Sequence, residues 1–304
     1  MKKSLIAVAL IGAFAAPAAV QTAMAAEEAA PASPHTLTAN VGLVSDYRFR
    51  GISQTFGLPA IQGGIDYSHA SGLYVGTWAS NVYGGNNFSG LGVNYYNGGM
   101  EWDFYGGFKF TPVEDLTFDI GGLYYYYPGA AYATNATTSA KYDNFELYAG
   151  VSYKWLSFKY NYALTNYFGV KGTTIGANAW GGPNCGTYSH TPTTGTFSNN
   201  CAVSTGGSGG SSYADLTAAI PVMDKLTLNA HVGYANVSNY GLLNYYDWKL
   251  GASYDLNGWI LGANYIGTSA KSDVYRTIKM TGSPNGKSYD TSSDTVVLSI
   301  SRTF

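Results

Sequence analysis

Beyond residue 25 this chain has no run of about 20 apolar residues, the length a membrane helix needs, yet apolar and polar side chains alternate one by one in stretch after stretch. In Met100 to Phe110, MEWDFYGGFKF, Trp102, Phe104, Phe108 and Phe110 fall on one face of a strand. Glu101, Asp103, Tyr105 and Lys109 fall on the other. Lys225 to Asn236 sets Leu226, Leu228, Ala230, Val232 and Tyr234 against Thr227, Asn229, His231 and Gly233. Tyr246 to Leu256 likewise sets six apolar or aromatic residues against Asp247, Lys249, Ser253 and Asp255. Helical spacing would scatter these charges over both faces. A wall with lipid outside and water inside requires this alternation, in segments of roughly ten residues.

Composition agrees. Only 11% of the 304 residues are charged, whereas 28 are Tyr and 39 are Gly; a soluble domain carries about 25% charge. The pattern predicts about twelve strands, over 37–52, 60–69, 72–82, 100–110, 116–127, 144–154, 157–167, 212–220, 225–236, 245–256, 259–268 and 293–304. The links after strands 2, 4, 6, 8 and 10 are short. Those after strands 3, 5, 7 and 11 are long and rich in Gly, Asn, Ser and Thr. Short turns at one end and long loops at the other predict an all-β fold, an antiparallel up-and-down transmembrane β-barrel with both termini on the periplasmic side.

In the first strand, Asp46, Arg48 and Arg50 alternate with Tyr47 and Phe49. The period predicts that the charges face a wet lumen and the rings face the outer lipid interface, where aromatic girdles collect. An arginine at mid-depth on the lipid face would cost about 2–4 kcal/mol. The chain ends VVLSISRTF, with Val296, Leu298, Ile300 and Phe304 alternating. A terminal Phe304 on such a strand looks like the signal read by the outer-membrane assembly machinery. Arg302 interrupts the apolar face and can snorkel to headgroups at the rim.

The N-terminus has Lys2 and Lys3, an apolar stretch from Leu5, and Ala23-Met24-Ala25. That is the layout of a secretory signal peptide spanning 1–25. A flexible tail, 26–36, and the barrel, 37–304, would follow. Cleavage would remove two lysines and leave 14 basic against 18 acidic residues, a formal charge of −4, which excludes a strongly basic nucleic-acid binder.

The string LTANVGLVSDYRFRGISQT, Leu37 to Thr55, with PAIQGGIDYSHASGLYVGTWASNV, Pro59 to Val82, resembles the opening of the TorF-family porins. The similarity is close over 37–82 and one of style beyond. It implies an outer-membrane barrel of presumed pore function, with the Asp46-Tyr47-Arg48-Phe49-Arg50-Gly51 block as a hallmark without assigned chemistry.

If the barrel is a pore, its functional surface is the lumenal charge. The alternation assigns Asp46, Arg48, Arg50, Asp66, Glu101, Asp103, Lys109, Asp119, Glu146, Lys154, Lys159, Asp215, Asp247, Lys249 and Asp255, with His231 as a further polar lining residue. Nine acids against six bases predict a mild cation preference. Twelve strands lie between barrels that side chains fill and wider ones that leave a channel, so a plugged barrel is the rival.

Cys185 and Cys201, the only cysteines, lie in the connection after strand 7, the loop 168–211, which is long enough to fold inward and narrow the pore. An exported chain with an even count favours a disulfide, worth roughly 3 kcal/mol for a loop of this length. Only His190 lies nearby, so no metal spacing arises, and no cofactor is expected. His35 falls in the tail and His69 at a turn. LYYYYP, Leu123 to Pro128, reads as a rim girdle, with Tyr125 facing inward.

The sequence thus predicts a passive channel for small hydrophilic solutes, in contact with outer-membrane lipids. The alternatives are a closed barrel for surface interaction and, third, a lipid enzyme. The last requires a Ser-His pair on the lipid face, where His231 does not fall unless its strand slips by one residue. Porins are often trimeric, but no residue here argues for a homo-oligomer.

Overall fold

The computed structural model describes residues 33–82, 94–96, 99–135, 138–171, 206–270, 275–277 and 289–304. Twelve antiparallel strands form one closed barrel. They are β1 (His35–Val44), β2 (Ala60–His69), β3 (Leu73–Asn81), β4 (Met100–Val113), β5 (Leu116–Tyr126), β6 (Asn144–Tyr153), β7 (Leu156–Ala163), β8 (Ser212–Met223), β9 (Leu226–Asn236), β10 (Tyr245–Leu256), β11 (Trp259–Thr268) and β12 (Thr295–Thr303). Each pairs with its sequence neighbour, and β12 closes on β1 through registers such as Val44↔Ser299 and Asn40↔Thr303. Closure leaves no unpaired edge, the condition for crossing a bilayer with strands. The expected signal peptide and the first part of the expected tail, residues 1–32, together with Cys185 and Cys201, lie outside the described residues.

The outer face is apolar, with Leu250 65%, Ile61 60% and Val296 59% exposed. Aromatics gather on this face at both ends. Trp102 and Phe104 lie tilted with centres 4.9 Å apart towards the loop end, and Phe110 and Phe118 stack 5.1 Å apart towards the turn end. That is the double girdle of a lipid-facing barrel. Arg302 sits with its guanidinium carbon 5.4 Å from the rings of both Trp259 and Phe304.

Inside, glycines and tyrosines are matched across strands. The Tyr105 ring lies over Gly76 and the Tyr148 hydroxyl over Gly121, while Tyr213 covers Gly233. A β-carbon at any of these glycines would collide with the ring or its hydroxyl. Lying flat, the phenols reach lumenal acids: Tyr105 donates to Asp66 and Tyr74 to Asp119, each at 2.6 Å, and Tyr213 to Asp247 at 2.9 Å. The Gly and Tyr content of the sequence is therefore wall construction.

Three expectations need correction. β1 ends at Val44 rather than continuing to residue 52. Lys154 does not line the lumen; it is an exposed turn residue with φ 54°, its Nζ 5.3 Å from the Tyr153 ring. At a tight turn the chain has left the wall, so the alternation no longer assigns a face. His35 is the first residue of β1, opposite His69, rather than part of a tail.

Candidate functional site

After Val44 the chain turns into the lumen at the loop end. Arg48–Phe49 pairs with Ile52–Ser53 in a two-residue β-hairpin. Its turn residues Arg50 and Gly51 have φ 47° and 81°, the positive values a type I′ turn demands. Gly51 is required twice over. A β-carbon there would stand 2.7 Å from Asp247 Cβ on the wall strand β10.

The hairpin carries its own fastenings. Asp46 accepts from Arg48 Nε and from Ser53 Oγ, both at 2.5 Å, from Thr55 Oγ1 at 3.1 Å and from the Gly57 amide at 3.2 Å. Arg48 Nη1 then donates to the carbonyls of Gly51, Thr291 and Ser293, and Nη2 to the Tyr289 hydroxyl. Asp46, Arg48 and Arg50 do face inward, but as members of a packed plug rather than as a solvated strand. All three are buried. Tyr47 and Phe49 are buried too, and do not form a lipid girdle. Tyr47 stands edge-on to Trp78 and donates to Glu101 at 2.9 Å. Burial, reinforced by the Glu101 and Asp103 carboxylates, holds its hydroxyl well above the ordinary phenol range, so it remains a donor.

Arg50 occupies an aromatic cage. Nη2 donates to Glu146 Oε2 at 2.6 Å and Nη1 to the Tyr167 hydroxyl at 3.0 Å. Its guanidinium carbon lies 4.3 Å from the centre of the Tyr213 ring and 4.8 Å from that of Phe49. Glu146 Oε1 is held separately by Asn144 Nδ2 at 3.0 Å.

Other loop-end segments pack around the hairpin. The short helical turn Tyr167–Gly169 brings Phe168 against Phe49 and Tyr125, at 5.3 and 5.2 Å. Tyr275 donates to the Leu243 carbonyl, and Thr291 to the Tyr275 carbonyl. These parts line a half-open pocket of about 30 Å³ beside Phe49, Ile52, Tyr127, Tyr142, Tyr245 and Tyr275, room for about one water. Tyr127 thus belongs to the mouth rather than to a rim girdle. Of the loop 168–211, residues 172–205 fall outside the described residues.

Below the plug the wall stays polar. Lys109 faces Asp119 across β4 and β5, and Lys159 faces Asp215 across β7 and β8. Lys159 Nζ stands 3.7 Å from the Tyr148 ring centre, and Lys109 Nζ 4.7 Å from that of Tyr74. His231 bridges two acids, with Nε2 2.8 Å from Asp247 and Nδ1 3.2 Å from Asp215. The β9 register puts His231 opposite Lys249, inside the barrel. Asp255 caps the Asn257-Gly258 turn at 2.7 Å to the Gly258 amide. Glu101 and Asp103 are wholly enclosed. Among the described residues, Glu101 Oε2 and both Asp103 oxygens have no hydrogen-bond partner.

A family model described as "Bacterial protein of unknown function (Gcw_chp)" matches residues 28–304, and the chain belongs to that family. No curated protein matches it. Solved structures similar to it include a KdgM porin, with 6% identity, TM-score 0.44 and coverage of 88% of this chain and 98% of that one. A NanC porin gives 11%, 0.41, 88% and 99%, and Pseudomonas aeruginosa OccD3 (OpdP) gives 11%, 0.36, 91% and 66%. The architecture rests on the strand pairing above rather than on these likenesses.

Proposed function

We propose that this Gcw_chp-family chain is an outer-membrane channel for passive diffusion of small hydrophilic solutes, closed at its external mouth by the 45–59 hairpin. One observation carries the reading: a closed barrel with an apolar exterior keeps a charged, partly exposed interior along its turn-end half. Water-facing charge on the inner wall serves permeation and costs nothing there, whereas a barrel that is only structural gains nothing from it. Asp66, Lys109, Asp119, Lys159, Asp215, His231, Lys249 and Asp255 line the path in this account. Asp46, Arg48 and Arg50 belong to the gate, and Glu101, Asp103 and Glu146 to the wall it covers.

Acids outnumber bases on that wall, so the open channel prefers cations weakly. Kinship with the TorF-family porins, export by the signal peptide, the Cys185–Cys201 bridge and recognition of Phe304 by the assembly machinery are parts of the same proposal. The enclosure of the hairpin favours a second reading, a permanently closed barrel whose loops act at the cell surface. Swelling of liposomes carrying the refolded protein separates the two. Swelling in small sugars and in salts of small cations supports the channel. No swelling in any solute, with the barrel shown folded by heat-modifiable migration, supports the closed barrel.

A further inference from the structure

We infer that the cage around the Arg50 guanidinium is a binding site for guanidinium-bearing solutes, and that such a solute opens the mouth by taking Arg50's place. The inference rests on the channel reading above.

The cage is built mainly from the wall. Glu146 comes from β6, Tyr125 from β5 and Tyr213 from β8. Tyr167 joins them from the connection after β7. The Glu146 carboxylate is oriented by Asn144 and by the Tyr125 hydroxyl, 3.3 Å from Oε2, so its direction does not depend on Arg50. Among the described residues Glu146 has no second ion-pair partner. A carboxylate oxygen and a phenol hydroxyl beside aromatic faces suit a planar cation, whose two amino groups reach Glu146 Oε2 and the Tyr167 hydroxyl while its plane lies over a ring. An ammonium is more strongly hydrated and cannot stack in the same way.

The occupant, by contrast, is mounted on left-handed backbone that a long side chain rarely adopts. Arg50 sits at the hairpin tip with φ 47°, where Asn, Asp or Gly is the usual residue. Strain of that kind persists only while surrounding contacts over-determine it. Arg50 therefore behaves as a tethered copy of a ligand. A free guanidinium that binds only the vacated cage must shift the population towards the displaced hairpin.

The test uses the full-length refolded protein in planar bilayers, with L-arginine and then L-lysine added on the loop side at equal concentration. The expected result is at least a tenfold rise in open fraction with arginine, little with lysine, and none with arginine on the E146Q variant. R50A should conduct without arginine, and millimolar arginine should interrupt its current. R50K, which keeps the charge but not the fork, should open at lower arginine than wild type and covers the case in which R50A fails to fold. If R50A conducts but arginine neither opens wild type nor interrupts R50A, the site is overturned and the channel stands. Equal responses to arginine and lysine overturn the guanidinium assignment. If folded wild type and R50A are both silent, the channel reading itself fails.

Discussion

Arg48 Nε donates to Asp46 Oδ2 at 2.5 Å, with the two side chains 1% and 5% exposed inside the barrel. Neither residue is there to meet solute. The pair ties the base of the hairpin to its own return strand, because Asp46 also accepts from Ser53 and Thr55. Removing one partner of a buried pair costs about 3–5 kcal/mol, since the other charge is left uncompensated. Asp46→Ala should therefore release the hairpin while the barrel persists. Hydrogen exchange is expected to show lost protection at 47–54 and unchanged protection in β9 and β10.

Gly51→Ala should displace the same hairpin by another route. Its φ of 81° costs an L-residue about 1–2 kcal/mol, and the new β-carbon would meet Asp247 Cβ at 2.7 Å. Gly258→Ala is the control, with φ 89° and nothing within 4 Å. It should lower stability by the backbone cost alone and leave exchange at 47–54 unaltered.

Tyr47→Phe keeps the ring against Trp78 and removes the only described donor to Glu101 that comes from the plug. Loss of that bond should cost about 1–3 kcal/mol of hairpin stability. A double-mutant cycle with Glu101→Gln should return a coupling of about 0.5–3 kcal/mol. Trp78 fluorescence reports the separation of the two rings.

Leu250→Arg tests the outer face. Leu250 lies mid-strand in β10 and is 65% exposed to the outside, where arginine at the midplane costs about 2–4 kcal/mol. The free energy of folding into lipid, read from urea titration, should fall by that amount. Lys249→Arg, one residue away on the inner face, should leave the midpoint nearly unchanged.

The wall was legible in the sequence because lipid outside and water inside impose period two. Glu101 and Asp103 opposite Trp102 and Phe104, and Asp247 and Lys249 opposite Trp248 and Leu250, fall on the predicted faces. The plug was not legible by that rule. A hairpin folded into the lumen has the same period as the wall, so Asp46 to Arg50 continued the alternation after the chain had left the sheet. A sharper signal was present in Arg50-Gly51, two turn residues between the pairs Arg48-Phe49 and Ile52-Ser53, with Ser53 and Thr55 spaced to satisfy Asp46. The partners that seat the plug stayed hidden. Glu146, Tyr167 and Thr291 lie 96, 117 and 243 residues from Arg50, Arg50 and Arg48, and period says nothing about contacts across a lumen.

A hairpin at 45–59 that closes a conducting barrel must raise conductance when it is removed. Single-channel recording compares wild type with a variant in which a glycine-serine linker of equal length replaces Arg48–Ser53. Rare, small openings are expected for wild type and steady, larger, weakly cation-selective steps for the variant. A folded variant that opens as rarely as wild type would overturn closure by the hairpin and leave a barrel closed by more than its plug.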